Sequence, residues 1–116
     1  MNGQCLVVLA SLTAILSVPP VQAQELDFWL AHGESELIQI SATAGETITA
    51  SCNENCLDLD LYLYDAEGNL LAKDSERNIA PTLLAPYDGE FLLEVFMPNC
   101  KHPEGCTAWL NSQADS

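Results

Sequence analysis

The stretch LDLDLYLYDAEGNLLAKD, which begins at Leu57, constrains the fold of this chain more than any other part of it. Leucine occupies every second position from 57 to 63, and polar or aromatic residues stand between the leucines. Successive side chains of a β-strand point to opposite faces, so this alternation predicts a half-buried strand with its leucines in the core. The residues expected on the opposite, outer face are Asp58, Asp60, Tyr62 and Tyr64.

A turn follows this strand and leads into a second one. Residues 65–69 are rich in turn formers, and Gly68 can adopt the positive φ that a tight turn needs. Residues 70–73 then return as the second arm of a hairpin.

Short stretches with strand character recur on both sides of this hairpin. We expect further strands at residues 26–31, 37–41, 47–51, 79–84, 90–97 and 107–110. Pro81 cannot donate a ladder hydrogen bond, so it places the strand at 79–84 on a sheet edge. Short strands at regular spacing, with no helical stripe beyond the N-terminal apolar run, predict an all-β fold. We expect an antiparallel β-sandwich of about seven to eight strands.

An apolar segment near the N-terminus predicts export. Residues 6–18 are almost wholly apolar, a Pro-Pro pair follows, and Val21-Gln22-Ala23 has the pattern that signal peptidase cleaves. We therefore expect a signal peptide at 1–23 and a secreted or periplasmic domain at 24–116, with no membrane contact after cleavage. The alternative is an uncleaved anchor, but the run is shorter than the roughly 20 residues that a membrane span needs.

Four cysteines follow the predicted signal peptide: Cys52, Cys56, Cys100 and Cys106. An even number in a small exported chain predicts two disulfide bonds. Of the possible pairings we favour Cys52 with Cys56 and Cys100 with Cys106, because each pair flanks a short polar loop. A zinc site formed by these cysteines and His102 is the alternative, although zinc sites usually have two residues between paired cysteines.

The charge of the chain excludes two classes of partner. Seventeen acidic residues against three basic ones give a net charge of −14. Nucleic acids and anionic membranes are themselves polyanions, so we expect neither as a partner. The acidity favours solubility, and cation binding or attraction to a basic surface is the alternative role for it.

Three of these stretches resemble the bacterial pre-peptidase C-terminal domain. The main match is Asp58-Leu-Asp-Leu-Tyr-Leu-Tyr-Asp65 followed by Gly68, and weaker matches lie at 44–49 and 89–95. The resemblance covers about residues 27–110 and implies a small jelly-roll-like β-sandwich without catalytic activity. Such domains usually follow a secreted protease and assist secretion, localisation or substrate binding. The resemblance therefore implies a protein, peptide or polysaccharide ligand, and a secreted protease encoded nearby as a further partner.

Candidate site residues share the outer face of the central strand. Asp58 and Asp60, about 7 Å apart by strand geometry, are candidate calcium ligands because calcium prefers carboxylate oxygens. Tyr62 and Tyr64 are candidate contacts for a peptide or a sugar. The alternatives are a merely solvated pair of carboxylates, and tyrosines that are packed under a second sheet or a loop.

The sequence contains no recognisable catalytic constellation. Its histidines are His32 and His102, and it has no Gly-x-Ser-x-Gly motif, so we expect no enzyme activity. Trp29 and Trp109 lie near the two ends of the domain, and we expect them in the core or sealing a sheet edge.

These observations together lead to the hypothesis of an exported, non-catalytic binding or accessory module that needs no cofactor. The alternative is a calcium-dependent structural module at the cell surface.

Overall fold

The computed structural model describes residues 21–22 and 25–113. Residues 1–20 and the predicted cleavage point after Ala23 lie outside the described residues. Nine strands occur in the described part of the chain: β1 (Val21–Gln22), β2 (Glu25–Leu30), β3 (Ser35–Ala42), β4 (Thr47–Cys52), β5 (Cys56–Tyr64), β6 (Leu70–Asp74), β7 (Thr82–Leu84), β8 (Gly89–Cys100) and β9 (Cys106–Gln113). Within these residues, no helix has the length and apolar character that crossing a membrane requires.

The strands form two sheets that face each other as a sandwich. The four-stranded sheet has the order β2-β9-β4-β7, and the five-stranded sheet has the order β1-β3-β8-β5-β6. The two-residue strand β1 pairs in parallel with β3, and the other pairs are antiparallel. The first and last long strands, β2 and β9, are neighbours, and most consecutive strands lie in opposite sheets, which is the jelly-roll arrangement. The predicted all-β sandwich is confirmed.

The core lies between the sheets and is built around β5 and β8. Leu59, Leu61 and Leu63 of β5 are fully buried. The alternate residues of β8 that share this inner face are also buried: Phe91, Leu93, Val95 and Met97. The four-stranded sheet covers them with Ile48, Ala50, Ala108 and Leu110. The period-two pattern therefore predicted the inward face of β5 correctly from Leu59 onward.

Leu57 is the exception, because its side chain is exposed instead of buried. The ladder between β5 and β8 pairs Cys56 with Cys100 and Asp58 with Asn99. Leu57 is therefore one extra residue on β5, which is the definition of a β-bulge. The prediction that Leu57 belongs to the core is wrong, since the bulge turns its side chain to the surface.

The strand predicted at 79–84 is shorter than expected. Only Thr82–Leu84 forms β7, which lies at the edge of the four-stranded sheet, as the proline predicted. Pro81 itself is buried just before the strand, and its carbonyl oxygen accepts a hydrogen bond from the Ala50 amide at 3.1 Å. Proline still contributes an acceptor to the β4 edge although it cannot donate.

Both disulfide bonds lie at one end of the sandwich. The bonds Cys52–Cys56 and Cys100–Cys106 are the local pairing that the sequence favours. The amide of Lys101 donates to the carbonyl of Asn55 at 2.8 Å, so the two disulfide-closed loops are joined to each other. The bonds therefore fix the loops at this end, while the core holds the rest of the sandwich.

Leucines 57 and 61 of the same strand provide a matched test of this packing. We expect Leu61→Ala to lower the free energy of unfolding by about 2–5 kcal/mol, because it removes buried methyl groups and leaves a cavity. Leu57→Ala should change it by less than about 0.5 kcal/mol, as is usual at an exposed position. Urea melts of both variants measure these values, and equal losses would contradict the bulge and the core as described.

Candidate functional site

Strand β5 carries the four residues that the sequence singled out. Tyr62, Tyr64 and Asp58 are half-buried. Asp60 retains only 5% of its accessible surface, although it points away from the core on the same strand. The alternative that Asp60 is merely solvated is therefore wrong. Its register partner on β8 is Phe96, which is itself half-buried on the same outer face.

The carboxyl group of Asp60 is in an unfavourable environment. Burial raises its pKa to about 6, and the negative charges of Asp58 and Asp74 add to the shift, whereas a hydrogen bond from Tyr62 opposes it. Its Oδ1 atom has no hydrogen-bond partner among the described residues. A buried acceptor without a partner costs free energy, and more so when the group is charged. Asp60 thus weakens the fold once it ionises.

Asp58 has a structural role instead. Its Oδ1 accepts a hydrogen bond from the amide of Asn78 at 3.2 Å. The amide of Leu59 in turn donates to the carbonyl of Asn78 at 2.9 Å. These two bonds hold the connection between β6 and β7 against the edge of β5. Asp58 and Asp60 are close enough for their charges to interact, but in residues 21–22 and 25–113 no three His, Cys, Asp or Glu side chains group to hold a metal ion.

The two tyrosines interact with carboxylates on the same face. The Tyr64 hydroxyl donates to Glu94 Oε1 at 2.8 Å, and this hydrogen bond raises the pKa of Tyr64. Burial and the nearby charge of Asp60 raise the pKa of Tyr62, which lies opposite Glu94 in the ladder. Both hydroxyls therefore stay protonated at neutral pH. Their position on the outer face also excludes the alternative that a second sheet covers them.

Further residues join the tyrosines on the outer face of the five-stranded sheet, which we call the tyrosine face. The ladders place on it Leu37 and Gln39 of β3, Leu92, Glu94 and Phe96 of β8, Asp60, Tyr62 and Tyr64 of β5, and Leu70 and Lys73 of β6. The alternation of inward and outward side chains along β8 indicated that Leu92 and Phe96 point outward. Only the pairing of β3 with β8 and of β8 with β5 brings them beside the tyrosines.

The two tryptophans lie on the opposite surface of the molecule. Trp29 is 57% exposed and Trp109 is 40% exposed, and both point outward from the four-stranded sheet. The expectation that they belong to the core is therefore wrong, whereas Trp29 does lie on the edge strand of its sheet. No local sequence pattern reveals this surface, because it depends on which strands are neighbours in the sheet.

Comparisons with known proteins identify the fold. No family model and no curated protein matches the chain. The pre-peptidase C-terminal domain of collagenase from Bacillus anthracis is similar in structure, with 14% identity and a TM-score of 0.55 over 84% of this chain and 99% of that chain. This chain therefore has the fold of a pre-peptidase C-terminal domain, as the sequence resemblance predicted.

Two periplasmic inhibitors of g-type lysozyme also match. PliG of Aeromonas hydrophila has 12% identity and a TM-score of 0.47 over 77% of this chain and 84% of that chain. PliG of Salmonella Typhimurium has 15% identity and a TM-score of 0.45 over 84% of this chain and 94% of that chain. Both TM-scores are below that of the collagenase domain.

The buried carboxyl group leads to a prediction on pH dependence. The pKa of Asp60 is about 6 in the folded state and about 4 in an unfolded chain. The folded state therefore holds the proton more tightly, and the contribution of Asp60 to stability falls as the pH rises from about 4 to about 6. Asp60→Asn removes the charge, so we expect it to stabilise the protein by roughly 1–3 kcal/mol at neutral pH and progressively less toward pH 4.

The matched control is Asp65→Asn. Hydrogen bonds from Asn69 lower the pKa of Asp65, so its contribution is present at neutral pH and lost as the pH falls. This substitution should therefore destabilise the protein at neutral pH, in the opposite sense to Asp60→Asn. Urea melts between about pH 4.5 and pH 8 measure both variants, and a pH-independent effect of Asp60→Asn would contradict the argument.

Proposed function

We propose that this protein is an exported, non-catalytic module that binds a protein or peptide partner through the tyrosine face. The observation that carries the proposal is the apolar and aromatic band across three adjacent strands of the five-stranded sheet. Leu37 of β3 is 62% exposed, Leu92 and Phe96 of β8 are half-buried, and Tyr62 and Tyr64 of β5 continue the band. Neighbouring apolar groups on one exposed face are characteristic of interaction surfaces.

The composition of the band suits a protein contact. Tyrosine and phenylalanine are enriched in the buried centres of interfaces, where they contribute a large contact area with few rotatable bonds. Hydrogen bonding between β3, β8 and β5 fixes the spacing of these side chains before a partner arrives. The bond between Tyr64 and Glu94 further orders the centre of the face. Binding of a partner therefore costs little conformational entropy on this surface.

Charge indicates which partners fit. Asp60 and Glu94 lie within the tyrosine face, and the whole chain has a net charge of −14. A segment with lysine or arginine residues at its rim complements this surface, and such complementarity mainly raises the rate of association. A secreted protease encoded near this protein is one candidate source of such a segment.

The absence of catalysis is supported by the environment of the histidines. The Nδ1 atom of His32 accepts a hydrogen bond from the Cys100 amide at 3.2 Å. The Nδ1 atom of His102 accepts one from the Glu104 amide at 3.1 Å. Both rings thus support loops at the disulfide end of the sandwich. Export is supported by the apolar run at 6–18 and by the two disulfide bonds.

Two exposed leucines allow a sharp test of the binding face. Leu37 lies on the tyrosine face, and Leu84, which is 60% exposed, lies on the other sheet. We expect a photo-crosslinking amino acid at position 37 to capture a defined protein from the exported fraction, whereas position 84 should not. With that protein purified, Tyr62→Ala should weaken binding about tenfold through loss of aromatic contact area. Equal capture from both positions would contradict the proposal.

A calcium-dependent structural role at the cell surface is the second candidate. The specific observation in its favour is the unpaired Oδ1 of Asp60 beside the carboxylate of Asp58. A bound cation would neutralise both charges and supply the missing partner for Asp60. Calcium usually takes six to eight oxygen ligands, so carbonyl groups or water would have to complete the site.

Melting experiments with calcium and with a chelator separate the two candidates. If Asp60 is a ligand, calcium raises the melting temperature of the unchanged protein by several degrees and has no effect on Asp60→Asn. The matched control is Asp88→Asn, because Asp88 is an exposed carboxylate that accepts a hydrogen bond from the Ala44 amide at another turn. A melting temperature that does not respond to calcium would reject this candidate and leave the binding function unaffected.

A further inference from the structure

The outer face of the four-stranded sheet presents both tryptophans of the chain together. Strand β2 pairs with β9 so that Trp29 lies opposite Thr107 and Trp109 lies opposite Asp27. Trp29 and Trp109 are therefore diagonal neighbours on one face, about 7–8 Å apart along the sheet. Leu30 and Leu110, the next residues along each strand, are buried in the core. We call this surface the tryptophan face, comprising Asp27, Trp29, Thr49, Ser51, Thr107, Trp109 and Asn111.

The structure holds one of these exposed rings in a fixed position. Trp29 Nε1 donates a hydrogen bond to the carbonyl of Glu104 at 2.7 Å. Gly105, with a φ of +123°, lies directly against the indole, because a Cβ at this position would come within 2.7 Å of Trp29 Nε1 and 3.0 Å of the Leu30 carbonyl oxygen. The disulfide Cys100–Cys106 closes the loop that contains both contacts. The ring is thus exposed and also preorganised, which lowers the entropic cost of binding.

The groups around the indoles are hydroxyls and amides. Thr107 and Asn111 flank Trp109 along β9, and Ser51 lies opposite Trp109 on β4. Asp27 provides the one carboxylate among the residues that define this face. Flat aromatic surfaces ringed by hydroxyl and amide groups match a sugar, whose C–H faces pack on indole while its hydroxyls form hydrogen bonds.

The shape of the surface suits a chain rather than an enclosed small molecule. One shallow depression lies beside Trp29 and is lined by Asp27, Phe28 and Thr107. A second is lined by Thr47, Thr49, Asn111 and Ser112. Trp109 lies between the two along β9.

We propose that the tryptophan face binds a polysaccharide chain that carries no negative charge, with sugar rings stacked on Trp29 and Trp109. The net charge of −14 and the position of Asp27 disfavour anionic polymers and favour neutral or amino-sugar chains. The hydroxyl and amide surroundings favour a glycan over an apolar peptide. This inference is independent of the protein-binding function of the tyrosine face, because the two surfaces lie on opposite sides of the sandwich.

Intrinsic fluorescence tests the proposal directly. The chain has two tryptophans, so its indole emission reports on this face alone. We expect hydroxyethyl cellulose or chitosan oligomers to shift or quench the emission in a saturable manner, and alginate, a polyanion, to have no effect. A response to alginate alone, or to none of these polymers, would overturn the proposal. A response to basic peptides but to no glycan would do so as well.

Variants assign the binding to the two rings. In affinity electrophoresis through gels that contain the responding polymer, Trp109→Ala should weaken retardation about tenfold, as expected for one lost stacking contact. Trp29→Ala should have a similar effect, and the double variant should not bind. The matched control is Tyr62→Ala on the opposite face, which should leave polysaccharide binding unchanged. Retardation of the double variant equal to that of the unchanged protein would contradict the assignment.

The fixed position of Trp29 has its own test. Gly105→Ala should weaken polysaccharide binding about as much as Trp29→Ala, since the added methyl group displaces the ring. Gly33→Ala is the matched control, because Gly33 also has positive φ, at +82°, but its Cβ would meet no atom within 4 Å. Both variants carry backbone strain, so a loss of binding shared by both would overturn the proposed role of Gly105, whereas a loss at Gly105 alone supports it. Melting curves show that each variant is folded at the assay temperature.

Discussion

Packing of the β5 leucines beside the inner residues of β8 is the interaction on which the rest of the structure depends. These two strands lie at the centre of the five-stranded sheet, and Leu61 and Leu63 pair with Val95 and Leu93 across the ladder. A fully buried leucine or valine contributes roughly 1.5–3 kcal/mol, so this small cluster supplies much of the stability expected of so short a chain. With the inner set of side chains fixed, alternation also fixes which residues face outward.

Irregularities at one end of β5 modify this simple rule. The ladder shifts between Cys56 and Asp58 and again between Asp58 and Asp60. Bulges of this kind redirect side chains and bend the strand. Here they expose Leu57, leave Asp58 to anchor the β6–β7 connection, and coincide with the buried Asp60. The same end carries both disulfide bonds, which hold its loops where the ladder is least regular.

The sandwich presents two outer faces with different chemistry. The tyrosine face combines leucine, aromatic rings and carboxylates, which suits a basic protein segment. The tryptophan face combines two indoles with hydroxyl and amide groups, which suits an uncharged sugar chain. Each face belongs to a different sheet, and the core that separates the sheets is about 10 Å thick. One short domain can therefore place two ligands on opposite sides without competition between them.

Local sequence alone determined the features that depend on near neighbours. The alternation in β5, the hairpin around Gly68 and the cysteines that flank short loops each follow from the geometry of a few consecutive residues, and the structure agrees with all three. The four candidate residues of β5 were also correctly placed away from the core. What covers or exposes an outward side chain, however, depends on the strands beside it. Burial of Asp60, exposure of Leu57 and the meeting of Trp29 with Trp109, which are 80 positions apart in the chain, required the tertiary structure, because strand order and register join segments that no local pattern links.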